Sequence, residues 1–379
     1  MNKILLVVNS DIGRKNTIGF RFGKIAEELK RQNIDFEIIG RANYLPQLKV
    51  KTPFYKNYLA RFFNGLRMYF LPFLDFRPLD IWFFDKLVLR ILKKSDLAFN
   101  LAHFGECLPK SLRYLKERKI KILLDIPIGH QAYALYLQEK KFKLDNKIGK
   151  APTYLNKSIE LADLLIVPSE FVKQTLEMAG FGDKSMEIVP FGAERAKDFS
   201  KKQISVKLNR DKIKFIFAGN VNYRKGINFL LEAWNKLNLK NAELLLCGRV
   251  YKSIKNEIRK YKNRNVKFLG FVDVDKYFKE SHIFVFPTLL EGSAKAVYEA
   301  MSYGLPAITT FNAGSIVEDG HSGFITPIGD SDVLAEKMSY FYQRPEKIVE
   351  MGKNAFEKVE NYSWEKYGEK IVEIYRNSQ

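Results

Sequence analysis

The sequence predicts an α/β protein of two doubly wound, parallel-sheet domains facing each other across a central cleft, and three observations lead there. The chain has 379 residues, more than a single hydrophobic core fills, so two domains of ordinary size are expected. Short β-branched or Leu-rich runs alternate with helical stretches, which signals βαβ units and a parallel sheet. The alternation breaks near residue 190 and then starts again.

Taken in order, the first set of strands is KILLVV from Lys3, DFEIIG from Asp35, KILLDIP from Lys121 and DLLIVPS from Asp163. The opening MNKILLVVNS has the basic start of a signal peptide. Its apolar run is short, however, and SDIGRKNTIGFRFGK follows without a cleavage site of small residues, so it reads as a strand. The second set is KFIFAG from Lys214, ELLLCG from Glu243, VKFLG from Val266, IFVFP from Ile283 and PAITT from Pro306. Between the sets, residues 193–212 are polar and strongly charged and read as the linker. The expected domains are therefore 1–195 and 196–363.

Composition narrows the function. Hydrophobic residues make up 46% and charged residues 28%, the balance of a globular chain. No run reaches the eighteen or so apolar residues of a membrane span. Cys107 and Cys247 lie far apart and read as small core residues of a reducing compartment. The four histidines show no metal-ligand spacing, so no bound metal is expected. A net charge of +20 implies an anionic partner, and nucleic acid, anionic lipid and phosphorylated metabolites all qualify. Residues 1–195 hold 33 Lys and Arg against 21 Asp and Glu, so +12 of the excess lies in the first domain.

In sheets of this kind ligands bind beyond the carboxyl ends of the strands, so the strand-to-helix loops are where chemistry is sought. One such loop is GNVNYRKGINFLLEAW, residues 219–234. Gly219 permits a tight turn, Arg224 and Lys225 supply charge, and a helix starting near Ile227 offers its first N–H groups, a combination that suits a phosphate. An RK pair alone would read as solvated charge. A second loop lies in IFVFPTLLEGSAKAVYEAMSYGLPAITT. There Gly292, Ser293 and Ala294 allow close approach to the backbone after Glu291, and Glu299 falls in the second turn of a helix starting near Ala294. Both carboxylates are placed to flank one ligand, although a bare pair at this spacing would pass for surface charge.

At PTLLEGSAKAVYEAMSYGLP the sequence resembles the retaining glycosyltransferases of the GT-B fold called family 4, or glycosyl transferases group 1. The resemblance extends to RKGINFLLEAW, ADLLIVPSEFVKQTLEMAGF, IVPFGAE, NAGSIVEDGHSGFITPIGD and YSWEKYGEKIVEIY, in order and at the right spacing. It implies two Rossmann-like domains, the second binding a nucleoside diphosphate sugar and the first an acceptor, with a C-terminal helix from about 364 to 379 packing back on the first. By the same resemblance Lys225 and Arg224 hold the donor diphosphate, Glu299 the ribose hydroxyls and Glu291 the transferred sugar. The loop from Gly292 through Ser293 and Ala294 to Lys295 would lie against sugar and phosphate. Relatives usually carry Gly-Arg where this chain has Gly219 and Asn220, and Arg224 or Lys295 is the expected substitute. A lysine at 295 is itself unusual. The glycine loop after the first strand is represented by Gly13 and Gly19, with Gly19 taken as the donor contact. The cleft histidine matches His130 in LLDIPIGH, with His103 as the competitor; His130 and Glu291 are the residues expected at the reacting centre.

The stretch 51–94 holds twelve aromatic and nine basic residues against three acidic ones. That mixture suits an anionic membrane interface or stacking on single strands, and it also describes an aromatic core with solvated cations. Because the resembled family often glycosylates lipid-linked acceptors, membrane contact is favoured and no nucleic-acid partner is expected.

The reading is a cytoplasmic, membrane-peripheral, retaining and metal-independent glycosyltransferase. It would move a sugar from a nucleoside diphosphate sugar, with no tightly bound cofactor, to an acceptor hydroxyl on a lipid-linked or cell-envelope glycan. The alternatives are a GT-B sugar-nucleotide epimerase or phosphorylase, and a non-enzymatic protein of anionic surfaces.

Overall fold

A computed structural model describes residues 3–15, 17–52, 77–95, 99–145, 150–194, 196, 199–206, 212–261 and 265–378. The first domain runs β1 (Lys3–Val7), β2 (Asp11–Ile12), α1 (Ile18–Arg31), β3 (Phe36–Ile39), β4 (Ala42–Asn43), β5 (Val50–Lys51), α2 (Arg77–Lys94), β6 (Phe99–Phe104) and α3 (Pro109–Lys116). It continues through β7 (Lys121–Asp125), α4 (Gln131–Glu139), α5 (Thr153–Leu161), β8 (Leu164–Val167), α6 (Glu170–Leu176) and β9 (Met186–Ile188). A seven-stranded parallel sheet in the order β5-β3-β1-β6-β7-β8-β9 is its frame. The central strands β1 and β7 are almost continuously buried, as apolar runs covered by helices on both faces must be.

After α7 (Lys201–Val206) the second domain contains β10 (Ile213–Ala218), α8 (Ile227–Leu237), β11 (Ala242–Cys247), α9 (Lys255–Lys260), β12 (Val266–Gly270), α10 (Val274–Glu280) and β13 (Ile283–Phe286). Then come α11 (Lys295–Ser302), β14 (Ala307–Thr310), β15 (Gly323–Thr326), α12 (Ser331–Gln343), α13 (Pro345–Val359) and α14 (Trp364–Asn377). Its six-stranded parallel sheet has the order β12-β11-β10-β13-β14-β15. In both sheets the order turns at the first long strand, β1 in one and β10 in the other, and that is where an open α/β sheet leaves a crevice. The fold class is the one the sequence predicts, two doubly wound parallel-sheet domains.

Strand β6 escapes the pattern because His103, buried with its neighbours, and Asn100 make FNLAHF look polar. The linker 193–212 contains α7, whose Ile204 is buried under the bend at Gly304 and Gly352. Ile204, with Phe199 set against Tyr303 and Phe356, thus anchors a segment that reads as polar and strongly charged.

The last helix returns to the first domain. On α14, Trp364, Tyr367, Ile371 and Tyr375 recur at helical spacing, all buried, and they face the stripe Phe22, Ile25, Ala26 and Leu29 of α1. The Ser363 hydroxyl caps α14 by accepting from the Lys366 N–H at 3.3 Å. Cys107 and Cys247 are both buried and free.

Candidate functional site

A cavity of about 740 Å³ opens where the carboxyl ends of β10, β11 and β13 face α1 of the first domain. Five of the predicted cationic and acidic residues of the second domain border it together: Arg224, Lys225, Glu291, Lys295 and Glu299. Ser293 and Ala294 complete that wall.

The loop after β10 is held in place from its own backbone outward. Gly226 sits at φ +70, and a Cβ there would lie 1.9 Å from the Pro287 carbonyl, so only glycine lets α8 start this close to the β13 strand end. The Asn222 side chain accepts from the Lys225 N–H at 3.1 Å, and the Arg224 carbonyl accepts from the Leu289 N–H at 2.9 Å. Both side chains then turn to one carboxylate. Arg224 and Lys225 each pair with Oε1 of Glu291, and Arg224 also donates to the Leu290 carbonyl at 2.6 Å.

Burial shapes the charges here. It works to raise the Glu291 pKa, but Lys225 and Arg224 outweigh it and hold the carboxyl below the usual range. Burial pulls Lys225 below the usual lysine value, with Glu291 opposing the shift and Arg224 adding to it. Two cations therefore share one anion, which leaves a net positive charge facing the cavity.

The helix α11 begins at Lys295, and Lys295 Nζ reaches Glu299 at 2.9 Å one turn later. A lysine at a helix N-terminus opposes the helix dipole, and Lys before Glu is the weaker order for such a pair. The helix gains little from Lys295, while the cavity gains a cation.

Some predicted residues stand elsewhere, and two that do border the cavity have polar groups already engaged. Gly292 is not on the cavity wall; a Cβ there would lie 1.8 Å from the Pro127 carbonyl, so its smallness serves the contact between domains. The Ala294 N–H already donates to the Ala313 carbonyl at 2.9 Å, and the Ser293 hydroxyl meets the Tyr298 hydroxyl at 2.8 Å. Gly19 also lies off the wall, where a Cβ would meet the Asp11 carbonyl at 2.1 Å. His130 caps α4: its Nδ1 accepts from the Ala132 N–H at 3.2 Å, which puts the proton on Nε2, 3.2 Å from the Asn156 carbonyl oxygen. It is buried and does not border the cavity. Burial lowers its pKa, with the Asn156 bond opposing. His103 is farther still from that role, with Nδ1 at 2.6 Å from the Tyr375 hydroxyl inside the core and its pKa lowered to about 3 by burial and by Arg21.

The structure also brings forward residues the sequence reading did not single out. Arg249, from the loop after β11, borders the cavity together with Asn220 and adds a further cation to it. Phe271, 94% exposed, borders the mouth just after β12. From the first domain comes Arg21, buried and paired with Asp125 at 2.9 Å, its guanidinium 4.2 Å from the Phe191 ring centre. A charge on the apolar stripe of α1 was the available signal for Arg21; Arg249 and Phe271 lie in CGRVYKS (247–253) and GFVDVDKY (270–277), loops the sequence points to for specificity without marking the individual residues.

With this geometry in hand, residues 198–358 match the family described as Glycosyl transferases group 1. The chain carries a group 1 glycosyltransferase domain. The glycosyltransferase of capsular polysaccharide biosynthesis CapM of Staphylococcus aureus is 27% identical over 272 residues, 65% of this chain and 67% of CapM. An uncharacterized glycosyltransferase of Methanocaldococcus jannaschii is 27% identical over 165 residues, and there the chain spans 47% of the relative's length, about half. Among solved structures, Anabaena HepE in complex with UDP and glucose superposes with a TM-score of 0.65 over all of both chains at 16% identity, which is a likeness of fold. The glycosyltransferase domain thus contains both glutamates, both loop cations and Lys295.

Proposed function

We propose that the protein is a retaining glycosyltransferase that moves a sugar from a nucleoside diphosphate sugar to an acceptor hydroxyl on a lipid-linked or cell-envelope glycan. The observation that carries the reading is the convergence of Arg224, Lys225, Lys295 and Arg249 with two carboxylates on one cavity at the strand ends. As the bond from sugar to phosphate breaks, charge develops on the leaving diphosphate, and cations fixed beforehand stabilise it without reorganising. Glu299 binds ribose hydroxyls and Glu291 sugar hydroxyls, so neither carboxylate is a covalent nucleophile. The departing phosphate takes the proton of the attacking hydroxyl. The diphosphate charge is met by protein cations, so the reading is metal-independent. Phe271 offers a face on which the base stacks. CapM acts in capsular polysaccharide biosynthesis and HepE was solved with UDP, which supports this donor class and a cell-envelope acceptor.

The acceptor is assigned to the first domain, on the cytoplasmic face of a membrane. Of the stretch 51–94, residues 53–76 lie outside the described residues; the remainder contains α2, which buries Ile81, Phe84, Val88 and Leu92 and exposes Leu79, Trp82 and Phe83. Lys86 and Lys110 lie 3.7 and 5.1 Å from the Trp82 ring centre, an aromatic and cationic face suited to anionic headgroups. Among the described residues no helix is long and apolar enough to cross a membrane.

Incubation with radiolabelled nucleotide sugars and a membrane-lipid extract tests the reading. Transfer of label to lipid with the donor's anomeric configuration kept, undiminished by a chelator, is expected. Interconversion of the donor with no acceptor present would identify an epimerase instead.

A further inference from the structure

The segment 140–145, between α4 and α5, leaves the first domain and reaches the second. Phe142 packs its ring against Phe229 at 6.1 Å and fills the space beside Gly329, where a Cβ would lie 2.3 Å away. Lys143 pairs with Glu257 at 3.4 Å. Among the described residues, the last contact of this reach is made by Asp145. Its Oδ1 accepts from the Tyr223 N–H at 3.2 Å and from the Ser253 hydroxyl at 2.7 Å, and its Oδ2 accepts from the Arg224 N–H at 3.2 Å. A carboxylate of one domain thus holds two successive N–H groups of the loop in the other domain that carries Arg224 and Lys225. Hydrogen bonds to an ionised acceptor are the stronger kind, and a bidentate pair fixes orientation as well as distance.

We propose that Asp145 is a positioning residue for the donor: it sets the Arg224–Lys225 loop in the geometry that meets a nucleoside diphosphate, and it does so only while the two domains are closed. The inference rests on the donor reading above. Opening the cleft separates Asp145 from Tyr223 and Arg224 and frees the loop, so closure and diphosphate affinity are coupled, and the coupling is reciprocal. The same arm begins at His130, whose cap starts α4, so the candidate histidine and the diphosphate loop are joined through one helix.

A carboxylate near bound phosphate acts in two opposite ways, and this makes the test decisive. If Asp145 mattered only through its charge, Asp145→Asn would bind phosphate more tightly. If it positions the loop, Asp145→Ala binds UDP, GDP or ADP, whichever the full-length wild type takes, about tenfold more weakly, and Asp145→Asn, which keeps one acceptor, falls between. Hydrogen exchange of peptides spanning 219–226 should quicken about tenfold in Asp145→Ala while those of β10 and β11 stay as in wild type, which separates loop release from misfolding. Unchanged or tighter nucleotide binding, or unchanged exchange in 219–226, overturns the proposal. If the wild type binds none of the three nucleotides, the donor reading fails, and the exchange measurement by itself still decides whether Asp145 holds the loop.

Discussion

Glu291 is the residue on which the site turns, because two cations share it. Glu291→Gln keeps the shape and removes the anion, so Arg224 and Lys225 face the cavity unpaired. Nucleoside diphosphate affinity should then hold or rise, while turnover falls about a hundredfold or more for lack of the sugar contact; equal losses of both would contradict the role given to Glu291. A second test concerns His103, whose folded pKa is depressed to about 3 by burial. Below its unfolded value near 6.5 the unfolded chain binds the proton that the folded chain refuses, so stability contributed by the neutral ring is present above pH 6.5 and is lost as the pH falls toward 3. Between pH 6.5 and 5 this one group costs about 2 kcal/mol. Urea midpoints of His103→Gln should show a shallower acid slope than wild type, and identical slopes would discount the group. At this scale the sequence made Arg224, Lys225, Glu291, Glu299 and Lys295 visible because two strand-to-helix loops hold them within a few residues of each other. Arg249 and Arg21 come from other loops and the other domain, and only the closed fold brings them to the same cavity.

At the scale of elements, glycines report how closely the two domains meet. The loop 288–292 belongs to the second domain, yet Leu289 and Leu290 are buried in a core cluster of the first, with Leu124, Phe171 and Val172. Gly292 completes that contact against Pro127. Gly292→Ala must push the two backbones apart, so it should lower the melting temperature and weaken nucleotide binding together. Gly182→Ala, whose Cβ meets nothing nearer than 4.0 Å, should alter stability by no more than about 0.5 kcal/mol. If both variants behave like wild type, the closed contact is not part of the donor site. Strands such as β1, β7, β10 and β13 were legible in the sequence because they are largely buried and read as continuous apolar runs, which need no partner to be recognised. Strand β6 and helix α7 depend on partners distant in sequence: Tyr375 for His103, Gly304 and Gly352 for Ile204. Periodicity alone holds no trace of such pairings.

At the scale of the whole molecule, the chain crosses between domains before α7 and again before α14, and the two crossings are tied side by side where the Ala193 N–H donates to the Tyr362 carbonyl at 2.8 Å. Helix α14 then packs along α1, which ties the end of the chain to the first domain. The excess charge of the first domain and the exposed Trp82 and Phe83 belong to this scale too. Flotation with anionic vesicles should carry the protein up at low salt and release it as salt screens the contact, whereas indifference to lipid charge would remove the membrane from the account. The central claim is that the cavity binds a nucleoside diphosphate through Lys225. Isothermal titration of UDP, GDP and ADP into the full chain tests it most directly. The account predicts saturable binding of at least one nucleotide, weakened about a hundredfold in Lys225→Ala at an unchanged melting temperature; a folded Lys225→Ala that binds the nucleotide as tightly as wild type would contradict it.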